Sequence, residues 1–136
     1  MKLILRIFGL FIFGISISGC GESTETICVK DVCIEGTWEW VESYGSIAGI
    51  TINPQTEMMT KSLTIDETSF RQFEDGALVL DVAYEFIESD EFSTFSDDDV
   101  VLKLANGMNF VIFREGDDLI LGEPCFDCWG HTYRKK

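Results

Sequence analysis

Short apolar or alternating runs, separated by turn residues every eight to twelve positions, constrain this chain more than any other feature, because that spacing suits strands and leaves no room for long helices. Asp75-Gly76, Asn106-Gly107 and Glu115-Gly116-Asp117 supply the positive-φ positions that tight hairpins need. Strands are expected near 37–44, 61–66, 70–74, 78–87, 100–104, 109–114, 118–121 and 129–134. Along the fourth of these, Leu78, Leu80, Val82, Tyr84 and Phe86 share one face, and Asp81 and Glu85 lie on the other. That is the period-two signature of a half-buried antiparallel strand. No stretch keeps an amphipathic pattern for three helical turns, so helix is confined to a turn or two in the long loop 45–60. Eight short strands joined mostly by hairpins can close on themselves and so remove exposed edges. The expected fold class is therefore all-β, a small eight-stranded antiparallel up-and-down barrel over residues 33–136, preferred to a sandwich.

The N-terminus obeys a different rule. Lys2 and Arg6 precede an apolar run at 7–17, and small residues Ser18 and Gly19 lead to Cys20. A transmembrane helix needs about 20 apolar residues, and this run has about half that. Residues 1–19 read instead as a cleaved export signal. The tetrapeptide Ile17-Ser18-Gly19-Cys20 resembles the lipobox of bacterial lipoproteins. The resemblance implies that Cys20 is the lipidation site, carrying a diacylglycerol on sulfur and a further acyl chain, such as palmitate, on its new amine. Two or three chains anchor stably, since each buried methylene contributes about 0.8 kcal/mol. Residues 20–32 then form a polar, flexible tether. Gly21 stands where an aspartate would be an inner-membrane retention signal, which favours the outer membrane, facing the periplasm or the cell surface. Glu22 and Glu25 match in position the acidic export signals of some surface lipoproteins of the Bacteroidota.

From residue 20 onward the chain holds eight basic against 24 acidic residues, a net charge of −16 with His neutral. Such a charge repels nucleic acid and anionic head groups, so no nucleic-acid partner is expected. It favours solubility and cationic partners, with a solvated polar face the simpler reading. Asp97-Asp98-Asp99 reads as a turn, being too short for an acidic tail.

Gly36-Thr37-Trp38 opens the first strand and Arg134 ends the last. The arrangement resembles the lipocalin and calycin superfamily, whose Gly-x-Trp signature packs its Trp beneath an Arg of the final strand at the closed end of the barrel. The resemblance implies that Trp38 and Arg134 stack, a contact of about 1 kcal/mol. The run from Gly36 to Thr51, Asn53-Pro54 after it, and the ending 119–125 with His131-Thr132-Tyr133-Arg134 are similar to small lipocalin-like lipoproteins of the Bacteroidota. The similarity covers about residues 33–136, and between 61 and 113 it lies mainly in the strand pattern.

Four cysteines follow Cys20, as Cys28-x4-Cys33 and Cys125-x2-Cys128. In an exported domain this even count reads as two disulfides with three possible connectivities. Cys33 precedes the first barrel strand and the Cys125/Cys128 pair precedes the last, which puts them at opposite ends. That favours the local pairs Cys28–Cys33 and Cys125–Cys128, each contributing about 2 kcal/mol, although a flexible N-terminal segment could cross over. Thioredoxin-like redox work needs a thiolate at a helix N-terminus, and here Cys-x-x-Cys lies between strands. Zinc would need all four thiolates to converge, so no metal and no other cofactor is expected.

Hydrolytic catalysis needs an activated nucleophile or paired carboxylates with separated pKa values. No such constellation is visible around any serine or around His131, the one histidine, which reads as a structural or surface residue, and the chain is expected not to be an enzyme. Two readings follow. In the first the barrel carries or senses a small apolar ligand, with Trp40, Tyr44, Leu80, Val82, Tyr84, Phe86, Phe110 and Ile112 as candidate lining, although the same residues could simply fill an eight-stranded barrel. In the second it is an envelope interaction or structural module. There the loop 45–60, with Ile47, Ile50, Met58 and Met59, and the acidic loop 90–99, with Phe92 and Phe95, meet a protein partner. Apolar residues of the first loop could equally pack as a lid on the barrel mouth.

Overall fold

The computed structural model describes residues 28–45, 47–87, 99–125 and 127–136. The signal 1–19, the lipidation site Cys20, tether residues 20–27 and nearly all of the loop 90–99 lie outside the described residues. Eight strands make the barrel: β3 (Gly36–Gly45), β5 (Lys61–Ile65), β6 (Ser69–Glu74), β7 (Ala77–Ile87), β8 (Val100–Leu104), β9 (Asn109–Glu115), β10 (Asp118–Gly122) and β11 (Trp129–Lys135). Each pairs antiparallel with the next in the chain, and β11 closes the ring on β3. This is the closed up-and-down barrel that the turn spacing predicted. Every strand lies where it was expected, within a residue or so at either end.

Three short elements were not anticipated as such. Cys28–Val29 (β1) and Val32–Cys33 (β2) form a hairpin turned by Lys30 and Asp31, both at positive φ, and joined by the Cys28–Cys33 disulfide. Residues 28–32, expected as the end of a flexible tether, are thus structured. Ile50–Ile52 (β4) pairs with Ser43–Gly45 of β3, beyond the point where β5 leaves that strand. Between β4 and β5 sits the one-turn helix α1 (Pro54–Glu57), whose start is fixed by Asn53. Its side chain accepts from the amides of Gln55 and Thr56, and the Thr56 hydroxyl returns the favour to the Asn53 amide.

Alternation turns one face of each strand to the lumen. Trp38, Leu63, Phe70, Leu102, Leu104, Ile112 and Leu119 are all buried to 2% exposure or less, and with Trp40, Phe110, Leu121 and Tyr133 they form one continuous core. The interior is therefore filled along most of its length. The outer wall carries cross-strand ion pairs instead, Arg71 with Asp81, Lys103 with Glu85, and Arg134 with Asp118.

The barrel has a closed end and a mouth. At the closed end Trp38 is wholly buried and its indole Nε1 donates to the Ile34 carbonyl at 2.8 Å. The cations at its ring belong to Arg114, 4.7 Å from the centroid, and Lys135, at 5.7 Å, and not to Arg134 as the resemblance implied. Strand parity gives the reason. Tyr133 and Lys135 point inward on β11, so Arg134 between them points out, where it grips Asp118 through two nitrogens at 2.8 and 3.0 Å. On β9 the inward set is Phe110, Ile112 and Arg114. The Arg114 guanidinium also donates to the carbonyls of Cys33 and Gly116, at 2.9 and 2.7 Å, which ties the β1–β2 hairpin to the barrel floor. Both ends of the described chain lie here, since the Lys136 amide donates to the Thr37 carbonyl.

Candidate functional site

At the opposite end the filled core gives way to a partly enclosed cavity of about 180 Å³. Six strands wall it: β3 through Ser43, β5 through Lys61, β6 through Phe70 and Gln72, β9 through Phe110, β10 through Leu121, and β11 through His131 and Tyr133. Met108 and Glu123 complete the rim from the two hairpin loops beside it. The floor is apolar and the rim is polar.

A β-bulge puts Ser43 there. Between Thr132 and Tyr133 on β11 the register with β3 slips by one, so that Thr132 faces Glu42 while Tyr133 faces Trp40, leaving Val41 as the extra residue. Alternation on β3 therefore changes phase: Trp38 and Trp40 point in before the bulge, Ser43 and Gly45 after it. The same slip expels Tyr44, which is 51% exposed and cannot line the lumen as expected from the uninterrupted alternation. Of the other seven candidate lining residues, only Phe110 borders the cavity. Trp40 and Ile112 lie in the core, and Leu80, Val82, Tyr84 and Phe86 are half-buried against it. Leu78 also leaves the predicted face, because a second register slip, opposite Gln72/Phe73, makes Val79 the extra residue of β7.

Ser43 is the one fully buried polar residue among the described residues, at 2% exposure. Its Oγ accepts a hydrogen bond from Trp40 Nε1 at 2.8 Å and stands 2.7 Å from Nδ1 of His131, its cross-strand neighbour. His131 Nε2 in turn lies 3.6 Å from Glu123 Oε1. Burial, opposed by the nearby Glu123 carboxylate, holds the imidazole below its ordinary pKa, with Lys61 adding to the depression. In the neutral ring one nitrogen accepts and the other donates, and the tautomer with a bare Nδ1 is the one that directs its Nε2 proton toward Glu123. Glu123 is pinned by its neighbour: its amide donates to the Trp129 carbonyl at 2.9 Å, and its Oε2 lies 3.4 Å from the Trp129 amide. Trp129 itself lies across Gly45, where any Cβ would meet the indole at 3.0 Å. Lys61 Nζ stands 4.9 Å from the centroid of the Trp40 ring and 3.9 Å from Glu74. Burial also holds the Tyr133 hydroxyl well above the ordinary tyrosine range, so it stays protonated.

Sequence reasoning singled out His131 but missed Ser43, Lys61, Gln72 and Glu123 as its company. The signal available was the pairing of the first and last strands, which brings residues near 43 opposite His131. The loop 45–60 does not cover the cavity: none of its described residues lines it, and Ile47, Ile50 and Met58 stand exposed. The second disulfide, Cys125–Cys128, staples the β10–β11 loop, so both bonds are local. Among the described residues no three His, Cys, Asp or Glu side chains converge as metal ligands would. The fold and site define a small closed all-β barrel with a polar mouth. No protein-family model matches the chain, and no match was found among curated proteins.

Proposed function

We propose that this chain is a lipocalin-like lipoprotein, anchored to the bacterial outer membrane through Cys20, that binds a small polar molecule in the mouth of its barrel. The observation that carries this reading is the 180 Å³ cavity, where Ser43, Lys61, Gln72, Glu123, His131 and Tyr133 converge over Phe70, Phe110 and Leu121. Sites for drug-sized ligands run from about 300 to 1,000 Å³ and are mostly apolar. The space here suits a ligand of a few heavy atoms with hydrogen-bonding groups better than the small apolar ligand suggested by the sequence. A core filled from Trp38 to Leu121 argues in the same direction.

Native mass spectrometry of the full-length protein, gently purified from bacterial envelopes, tests the reading. A co-purifying small polar compound, lost in a Ser43→Leu variant that fills the cavity, is the expected result. A chain that is empty under all conditions and gains no stability from any small polar solute would refute it. A second reading, an interaction module that meets a protein partner through its loops, is favoured by the exposed apolar group Tyr44, Ile47, Ile50 and Met58 around the β3–β4 hairpin.

A further inference from the structure

We propose that Ser43 is a nucleophile that takes the acyl group of a small carboxylic ester bound in the mouth, with His131 as its base and Glu123 as the group that orients the imidazole. This rests on the reading that the mouth admits a small molecule, and it names the class of that molecule.

An indole N–H can only donate, so Ser43 Oγ accepts from Trp40, and in the proposed role the His131 tautomer is the one whose bare Nδ1, 2.7 Å away, receives the hydroxyl proton. A neutral imidazole accepting there holds its own proton on Nε2, on the side of Glu123 Oε1 at 3.6 Å. Nucleophile, base and orienting carboxylate thus follow in order, the relation that activates serine on unrelated folds. Burying a hydroxyl costs free energy that alanine at this position would avoid, and a bulge re-aims the strand so that the hydroxyl meets the cavity. Lys61 supplies the positive charge. Its side chain lines the same cavity as Ser43, with the ammonium over the Trp40 ring and 3.9 Å from Glu74, and in the proposed role it serves the oxyanion of the adduct.

The step balances with an ester and water alone. Ser43 Oγ bonds to the carbonyl carbon as its proton passes to His131 Nδ1. The tetrahedral adduct expels the alkoxide, which leaves as the alcohol with that proton, and the acyl group stays on Ser43. Water then attacks the acyl carbon, giving its proton to His131, and the carboxylic acid departs as Ser43 recovers a proton.

The test exposes full-length protein to methanesulfonyl fluoride, which is small enough for the cavity. Ser43 Oγ would displace fluoride and form a sulfonate ester, read by peptide mass spectrometry. In parallel, saturation-transfer NMR with methyl acetate reads binding without chemistry. The expected result is one adduct, on Ser43, absent from Ser43→Ala and formed at least about 100-fold more slowly in His131→Gln. Methyl acetate binding with no adduct at Ser43 overturns the nucleophile and leaves the binding reading standing. Neither binding nor adduct overturns both. Labelling that is as fast in His131→Gln as in the parent overturns the assignment of the base. Should Ser43→Ala fail to fold, Ser43→Cys serves: alkylation by iodoacetamide at Cys must slow when His131→Gln is added, and indifference to that change overturns the proposal.

Discussion

Replacing Arg114 with alanine removes the device that closes the floor of the barrel, and its cost can be worked from the contacts. The Nη1 bond to the half-buried Cys33 carbonyl is worth about 1.5 kcal/mol and the more exposed Nη2 bond to Gly116 about 1 kcal/mol. The guanidinium over the Trp38 ring at 4.7 Å adds about 1 kcal/mol. Against these, Arg114 Nε is buried with no hydrogen-bond partner, and its removal relieves about 1 kcal/mol. The net loss is about 2.5 kcal/mol, which for a domain of this size lowers the melting temperature by about 10 °C. Arg114→Lys keeps a charge near the ring but loses the fork that spans two carbonyls, so it should fall about halfway. Arg134→Ala breaks only the exposed pair with Asp118 and should leave the midpoint within error. Urea titration of the three variants with matched slopes decides the matter. An Arg134 variant destabilised as much as the Arg114 variant would refute the assignment of the Trp38 cation and restore the one implied by the family resemblance.

Other substitutions probe the rest of the barrel. Trp38→Phe leaves the Ile34 carbonyl without its donor and should cost about 2 kcal/mol by the same titration. Phe110→Ala should cost about 3 to 5 kcal/mol, whereas Tyr44→Ala should stay within about 0.5 kcal/mol, since one fills the core and the other faces solvent. Serine at both Cys125 and Cys128 should lower stability by about 2 kcal/mol without unfolding the barrel, as checked by far-ultraviolet dichroism. Because folding depresses the His131 pKa, the unfolded chain binds this proton more readily. This group's contribution to stability is therefore present above the unfolded value of about 6.5 and is lost as pH falls below it. His131→Gln should flatten that part of the stability profile, and an unchanged profile would show that another group controls it.

Strand positions were legible because alternation and turn residues are local signals, and the loop chemistry at 75–76, 106–107 and 115–117 left few alternatives. What failed was phase. Nothing in Val41-Glu42-Ser43-Tyr44 announces a bulge, yet one extra residue exchanges Tyr44 for Ser43 in the lumen and so turns an apolar lining into a polar one. Arg134 is a different case. With Tyr133 taken as an inward residue, parity alone would have sent Arg134 outward and pointed to Lys135, which does approach the Trp38 ring, at 5.7 Å. Glu123 could not have been found, since it reaches His131 through the geometry of the loop that follows β10.

The β1–β2 hairpin and the C-terminal residues leave the barrel from the same pole, the one sealed by Trp38 and Arg114. A bead or partner attached directly at either of these points, Cys28 or Lys136, therefore grips the barrel from behind. The mouth would face outward from the support, and solutes would reach it from the aqueous side.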